Sequence, residues 1–235
     1  MDEHTANIIW PPAYKIKKHR LARNIKLRAV KLHGLEITVP YRFDLDEIPT
    51  ILEENKNWIT KRLLHLQSQS VDSLPDKIVM HAMNETWLIH YVACSAKLEI
   101  IQRPTQEVIL VGKIHNKNIC KERLITWIKE RATIYLIQQL KMISDKAHLY
   151  YKKVTVRDQR TLWGSCTVNK AISLNYKLIF LPSHLVTHIL IHELCHTQYL
   201  NHSEHFWSLV AKYDPAWQTH RYELRLADQF IPQWI

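Results

Sequence analysis

The most informative pattern in the chain is SHLVTHILIHELCHTQYLNHSEHFW, residues 183–207. Its apolar residues recur at three- and four-residue spacing, which is typical of a helix with one buried side. They are Leu185, Val186, Ile189, Leu190 and Leu194. The pattern predicts a helix with Ser183 as its N-cap and an end near Tyr199.

An HExxH pattern lies within this predicted helix, with His192 and His196 four residues apart. Residues at this spacing share one side of a helix, so both imidazoles can bind one metal ion. Glu193 lies about 100° around the helix from His192, which places its carboxylate beside the ion rather than on it. The pattern predicts a catalytic zinc site with Glu193 as general base.

A third protein ligand is needed, because catalytic zinc normally has three and keeps one position open. His202 and His205 follow the helix, and we expect His202 to be the ligand. An unbroken helix would carry His202 about 15 Å along the axis. The chain must therefore turn back, and Asn201 can adopt the left-handed conformation for that turn. His188 is also four residues from His192, but we expect it to pack or to support the site.

The segments before this helix predict strands around one long helix. Apolar residues at helical spacing predict a helix over about 117–149. Short β-branched segments predict strands at 77–80, 86–92, 97–101, 107–111, 153–157, 162–166 and 171–174.

The N-terminal part is predicted to be rich in β-structure. Alternation on both sides of His33 and Gly34 predicts a β-hairpin, and a helix with Asn57-Trp58-Ile59 follows. The polar segment 67–76 is the best candidate for a boundary. We expect an α+β chain divided into residues 1–70 and 71–235, or one continuous domain.

Composition excludes several classes of protein. The chain has 235 residues, of which 46% are hydrophobic and 23% charged, so wholesale disorder is excluded. No apolar run reaches the roughly 18 residues that span a bilayer, and the N-terminus lacks the pattern of a signal peptide. The four cysteines form no CxxC pair and are too few to hold a disulfide scaffold together, which fits a reducing compartment. We therefore expect a cytoplasmic protein with no membrane partner.

The positive charge is concentrated near the N-terminus. The net charge is +10, and residues 15–31 contain eight basic residues and no acidic one. Such a segment can bind nucleic acid or phosphates, or it can be the solvated face of a hairpin. Its single aromatic neighbour, Tyr14, offers little for base stacking.

Several motifs together resemble the YgjP-like metallopeptidase family, which is related to SprT-like and gluzincin-type proteases. The resemblance covers nearly the whole chain. It is carried by RDQRTLWGSC at 157–166, ISLN at 172–175, HELCH at 192–196, NHS at 201–203 and FW at 206–207.

The resemblance implies that His192, His196 and His202 bind one Zn²⁺ per chain and that Glu193 is the catalytic base. The C-terminal part would then be zincin-like, with the WGSC strand beside the cleft. It further implies substrate-binding residues on and before that strand, namely Arg160, Trp163, Gly164 and Ser165. The family commonly has Arg where this chain has Leu162. If that Arg contacts substrate, either Arg160 makes the contact in this chain or the contact is absent.

The resemblance implies a zinc-dependent metallohydrolase, and a metallopeptidase acting on peptides or proteins is the first hypothesis. A UTP pyrophosphatase using the same zinc site is the alternative, since that activity has been attributed to YgjP-like proteins. A SprT-like protease that associates with nucleic acid through residues 15–31 is the third. Asp214 and Glu223 are candidates for orienting the ligand imidazoles.

Overall fold

The structure of the protein, a computed structural model, describes residues 10–22, 25–30, 34–68 and 73–235. The chain divides into two compact units, Met1–Ser73 and Leu74–Ile235. Each unit combines helices with strands, which confirms the α+β class. None of the described helices is long and apolar enough to cross a membrane.

The N-terminal unit is a three-stranded sheet with two helices. Its elements are β1 (Tyr14–His19), β2 (Lys26–Val30), β3 (Gly34–Pro40), α1 (Ile48–Glu54) and α2 (Lys56–Ser68). Strand β3 is central, with β1 parallel and β2 antiparallel to it, the latter as in the predicted hairpin. The hairpin turn at 31–33 lies outside the described residues. Alternate side chains of β3, Leu35, Ile37 and Val39, are fully buried in a core with both helices.

A four-stranded sheet and a long helix begin the C-terminal unit. The elements are β4 (Lys77–Met80), β5 (Glu85–Ala93), β6 (Glu99–Arg103), β7 (Glu107–Gly112) and α3 (Lys117–Ala147). The strand order is β4-β5-β7-β6. Asn116 caps α3 by accepting hydrogen bonds from the amides of Asn118 and Ile119, and His148 ends it in the left-handed conformation.

A second sheet and the C-terminal helices complete this unit. The elements are β8 (Lys153–Arg157), β9 (Gly164–Cys166), β10 (Ala171–Asn175), α4 (Ser183–Cys195), α5 (Glu204–Tyr213) and α6 (Trp217–Glu223). Strand β10 is central, parallel to β8 and antiparallel to β9, so β9 forms one edge. Helix α4 contacts α3, α5, α6 and β9. The segment that carries HExxH is therefore the central helix of the unit.

Candidate metal centre

Helix α4 is buried on nearly all sides, unlike the one-sided helix that its apolar spacing predicts. The buried residues include Ile191 as well as the predicted apolar side. The predicted bounds are also wrong at both ends. Pro182 occupies the N-cap position with Ser183 as the first helical residue, and the helix ends at Cys195 rather than near Tyr199.

The early end of α4 has a local cause in the side chain of Thr197. Its hydroxyl donates to the Leu194 carbonyl over 2.7 Å, and its amide donates to the same oxygen over 2.9 Å. A Thr side chain that bonds nearby backbone competes with continued α-helix in this way. The predicted left-handed Asn201 is wrong, because the non-glycine residues with positive φ in the described chain do not include it.

This turn brings three imidazoles together. The Nε2 atom of His192 lies 3.2 Å from Nε2 of His196 and 3.2 Å from Nε2 of His202. The three nitrogens all lie within 4.8 Å of one another. Nitrogens bound to one tetrahedral zinc ion at 2.0–2.1 Å are separated by about 3.3 Å. The donor set and its spacing therefore fit a zinc ion.

The protonation of two of these imidazoles suits metal binding. Nδ1 of His196 donates to the backbone carbonyl of Tyr199 over 2.9 Å, which leaves Nε2 with a free lone pair. Burial lowers the pKa of His192 to about 3, and the neighbouring imidazoles of His196 and His202 add to the effect. The His192 ring is then neutral near pH 7, the form that binds a metal.

Two aromatic side chains of α5 hold the imidazoles in place. Phe206, which is fully buried, contacts all three rings at centroid distances of 4.4 to 4.9 Å. Trp207 stacks on His202 with centroids 5.5 Å apart, and Trp217 stacks on Trp207 at 4.4 Å. Sequence reasoning used the FW pair only as a marker of resemblance. Its place three and four residues after the end of Asn-His-Ser was the signal that could have assigned it to the site.

Glu193 is buried beside these imidazoles with little to stabilise its charge. Glu193 is 5% exposed, and its Oε2 atom has no hydrogen-bond partner among the described residues. Burial raises the pKa of this carboxyl to about 8. A proton acceptor with a pKa near neutrality is what general base catalysis requires.

Gly164 of edge strand β9 makes room for that carboxylate. A Cβ atom at Gly164 would lie 2.7 Å from Oε1 of Glu193 and 2.9 Å from its Cδ. Because real Cβ atoms essentially never approach so closely, any side chain at 164 would displace Glu193. The backbone of β9 therefore touches the predicted base directly.

The other residues predicted to bind substrate lie close to Gly164 in the sequence. Trp163 and Ser165 are half-buried, and Arg160 is exposed. Nothing in the geometry assigns them a ligand, so their role stays a prediction. Cys166 is half-buried, and burial together with the charge of Glu193 raises the pKa of its thiol to about 11. It is a poor nucleophile near pH 7.

Asp214 and Glu223 were predicted to orient the ligand imidazoles, and the structure places them elsewhere. Asp214 accepts hydrogen bonds from His188 and His220, whereas Glu223 bonds to His184. The group that orients His196 is instead a backbone carbonyl. A carbonyl is present at every residue, so sequence alone does not single it out.

The basic stretch belongs to the N-terminal unit. Arg23 and Lys31 lie outside the described residues. Lys17 pairs with Glu36, and this contact with the nearby charges of Arg28 and Lys15 lowers the pKa of Glu36. The stretch is thus partly neutralised within its own sheet. Contact with nucleic acid stays a prediction.

Comparison with known proteins identifies a family over most of the chain. The family model described as YgjP-like, metallopeptidase domain matches residues 23–227. The match includes the three imidazoles, Glu193 and strand β9. No curated protein matches the chain significantly.

Proposed function

This chain belongs to the YgjP-like metallopeptidase family, and we propose that it is a zinc-dependent peptidase with a zincin-like active-site helix. His192, His196 and His202 would hold the ion. When bound, zinc supplies Lewis acidity toward a carbonyl group and toward water. The observation that carries the proposal is the convergence of three imidazole nitrogens on a helix that also carries a buried carboxylate, whose Oε2 has no hydrogen-bond partner in the described part of the chain.

Glu193 acts as the proton carrier in this proposal. Because burial raises its pKa, the carboxylate is a stronger proton acceptor than an exposed one; it takes a proton from water, and the resulting acid donates that proton to the departing amine. Burial favours the first of these steps, because desolvation disfavours the charged carboxylate relative to its protonated form. A carboxylate at this position cannot be replaced by its amide, which accepts no proton.

Strand β9 supports a peptide as the substrate. One side of β9 pairs with β10, and the other side is the edge of the sheet. An extended peptide can add to such an edge through backbone hydrogen bonds. Since Gly164 of β9 touches Glu193, a peptide paired with this edge would run past the base. The chain has three glycines and no glycine-rich phosphate loop, which favours a peptide over a nucleotide.

The proposal is tested by offering the zinc-loaded protein a peptide library and identifying new termini by mass spectrometry. We expect cleavage by the wild type and none by Glu193→Gln. Glu204→Gln, which changes an exposed carboxylate on α5, is the matched control and should cleave as the wild type does. Release of pyrophosphate from UTP that depends on Glu193, with no peptide cleavage, would overturn the proposal in favour of a nucleotide substrate.

A further inference from the structure

A second cluster of metal-binding groups lies one helical turn before HExxH. Nδ1 of His188 is 2.6 Å from Oδ2 of Asp214, and Nδ1 of His220 is 3.0 Å from the same oxygen. These three atoms lie within 4.8 Å of one another. They come from α4, from the C-terminal end of α5 and from α6. None of them belongs to the site proposed above.

The cluster is a buried place for a negative charge. Asp214 is 6% exposed and His188 is 3% exposed. In the described part of the chain, the basic groups that pair with Asp214 within 4.0 Å are these two histidines. Charges buried in proteins are normally paired or bind a metal. Two imidazoles and one carboxylate form a donor set that suits divalent transition metals.

The cluster also has an opening through which an ion can enter. A pocket of about 310 Å³ is lined by Asp214 and His220 together with His184 and Thr187. At its rim, His184 bonds to Glu223 over 2.7 Å, and the rings of His184 and His220 have centroids 5.2 Å apart. Further donor groups are thus available beside the buried three. An accessible path is one of the features that separate a metal site from a purely structural network.

We propose that His188, Asp214 and His220 bind a second divalent transition-metal ion, with zinc as the ion used to test it. The ion replaces the two hydrogen bonds to Oδ2 and binds the ring nitrogens, and each neutral imidazole then carries its proton on Nε2. It links α4, α5 and α6, and so stabilises the helix that carries His192. The proposal concerns residues other than the peptidase site, so either site can exist without the other.

The experiment measures bound zinc in the full chain by elemental analysis after dialysis against a zinc buffer. We expect about two ions per wild-type chain, and about one in His220→Asn, which keeps a hydrogen-bond donor for Asp214 but removes the ring nitrogen. His202→Ala should also retain about one, and the double variant none. His115→Ala, which removes an exposed histidine, is the control for binding at the surface and should match the wild type.

Thermal unfolding provides a second measurement, made in the His202→Ala protein so that zinc bound by His192, His196 and His202 does not contribute. In the His202→Ala protein, zinc should raise the melting temperature, and the added His220→Asn change should abolish this rise. The proposal would be overturned if wild type and His220→Asn contained equal zinc and if zinc raised the melting temperature equally in His202→Ala and in the double variant. The cluster would then be only a hydrogen-bonded network. One ion in the wild type that His220→Asn removes and His202→Ala keeps would support this site and contradict the peptidase site.

Discussion

Burial of Glu193 predicts that this carboxyl contributes strongly to the pH dependence of the stability of the metal-free protein. The perturbation is Glu193→Gln, which keeps the shape of the side chain and removes its titration. In the folded state burial raises the pKa of Glu193 from 4.5 to about 8. Between pH 4.5 and about 8, the folded protein therefore holds a proton on Glu193 that the unfolded chain has released.

The sign and size follow from proton linkage. A raised folded-state pKa gives a contribution to stability that is full below pH 4.5 and is lost as the pH rises through about 8. A tenfold change in proton affinity corresponds to about 1.4 kcal/mol. The free energy of unfolding of the wild type should thus fall by up to about 5 kcal/mol relative to Glu193→Gln across this interval.

The assay is urea unfolding of both metal-free proteins at intervals from pH 4.5 to 8.5. The comparison between the two proteins removes the histidine contributions, which run in the opposite direction because the pKa of His192 is lowered to about 3. Glu130→Gln, which removes an exposed carboxylate from α3, controls for the change in net charge. Parallel stability curves for wild type and Glu193→Gln would refute the interpretation of Glu193 as a buried, unpartnered acid.

Three further predictions concern the groups around the imidazoles. Gly164→Ala brings a methyl group to 2.7 Å from Glu193, where ordinary contacts begin at 3.4 Å. If this displaces the Glu193 carboxylate by up to about 1 Å, peptide turnover should fall by ~100-fold while the zinc content stays unchanged. The control, Val168→Ala at an exposed position of the same hairpin, should change neither quantity. Full turnover in Gly164→Ala would contradict this prediction. Asn175→Ala removes a buried amide that donates to two carbonyls of the loop before β9. It should lower the free energy of unfolding in urea by about 1–3 kcal/mol. An unchanged free energy of unfolding would show that the loop does not need these hydrogen bonds. Phe206→Ala should weaken zinc binding by ~10–100-fold in a chelator competition and lower the free energy of unfolding by about 3–5 kcal/mol. Phe206→Leu should lose much less of both. Equal zinc affinity in the two variants would contradict a role for Phe206 in holding the imidazoles.

The parts of the candidate site that follow from residue spacing were predictable from the sequence. Four-residue spacing places His192 and His196 on one side of a helix, and zinc's need for another ligand points to His202. The long helix α3 follows from its apolar periodicity, and its bounds differ from the prediction by two residues at one end. Helical geometry fixes these relations, so they need no tertiary information.

The turn after HExxH and the support of the imidazoles were not predictable in the same way. The end of α4 depends on whether Thr197 bonds to the Leu194 carbonyl, which is a competition between nearly equal local structures. The partner of His196 is the carbonyl of Tyr199, and carbonyls carry no residue-specific signal. The proximity of Gly164 to Glu193 joins two segments about 30 residues apart, so only the packed fold makes it visible.

The most direct test of the account is the zinc content of the wild type, His202→Ala and His205→Ala, measured by elemental analysis on proteins of equal purity and folding. His205 is exposed, with its ring centroid 6.1 Å from that of Tyr199, and it lies outside the group of converging nitrogens. We expect that His202→Ala contains one zinc ion per chain fewer than the wild type and that His205→Ala loses none. Equal zinc in His202→Ala and the wild type would contradict it.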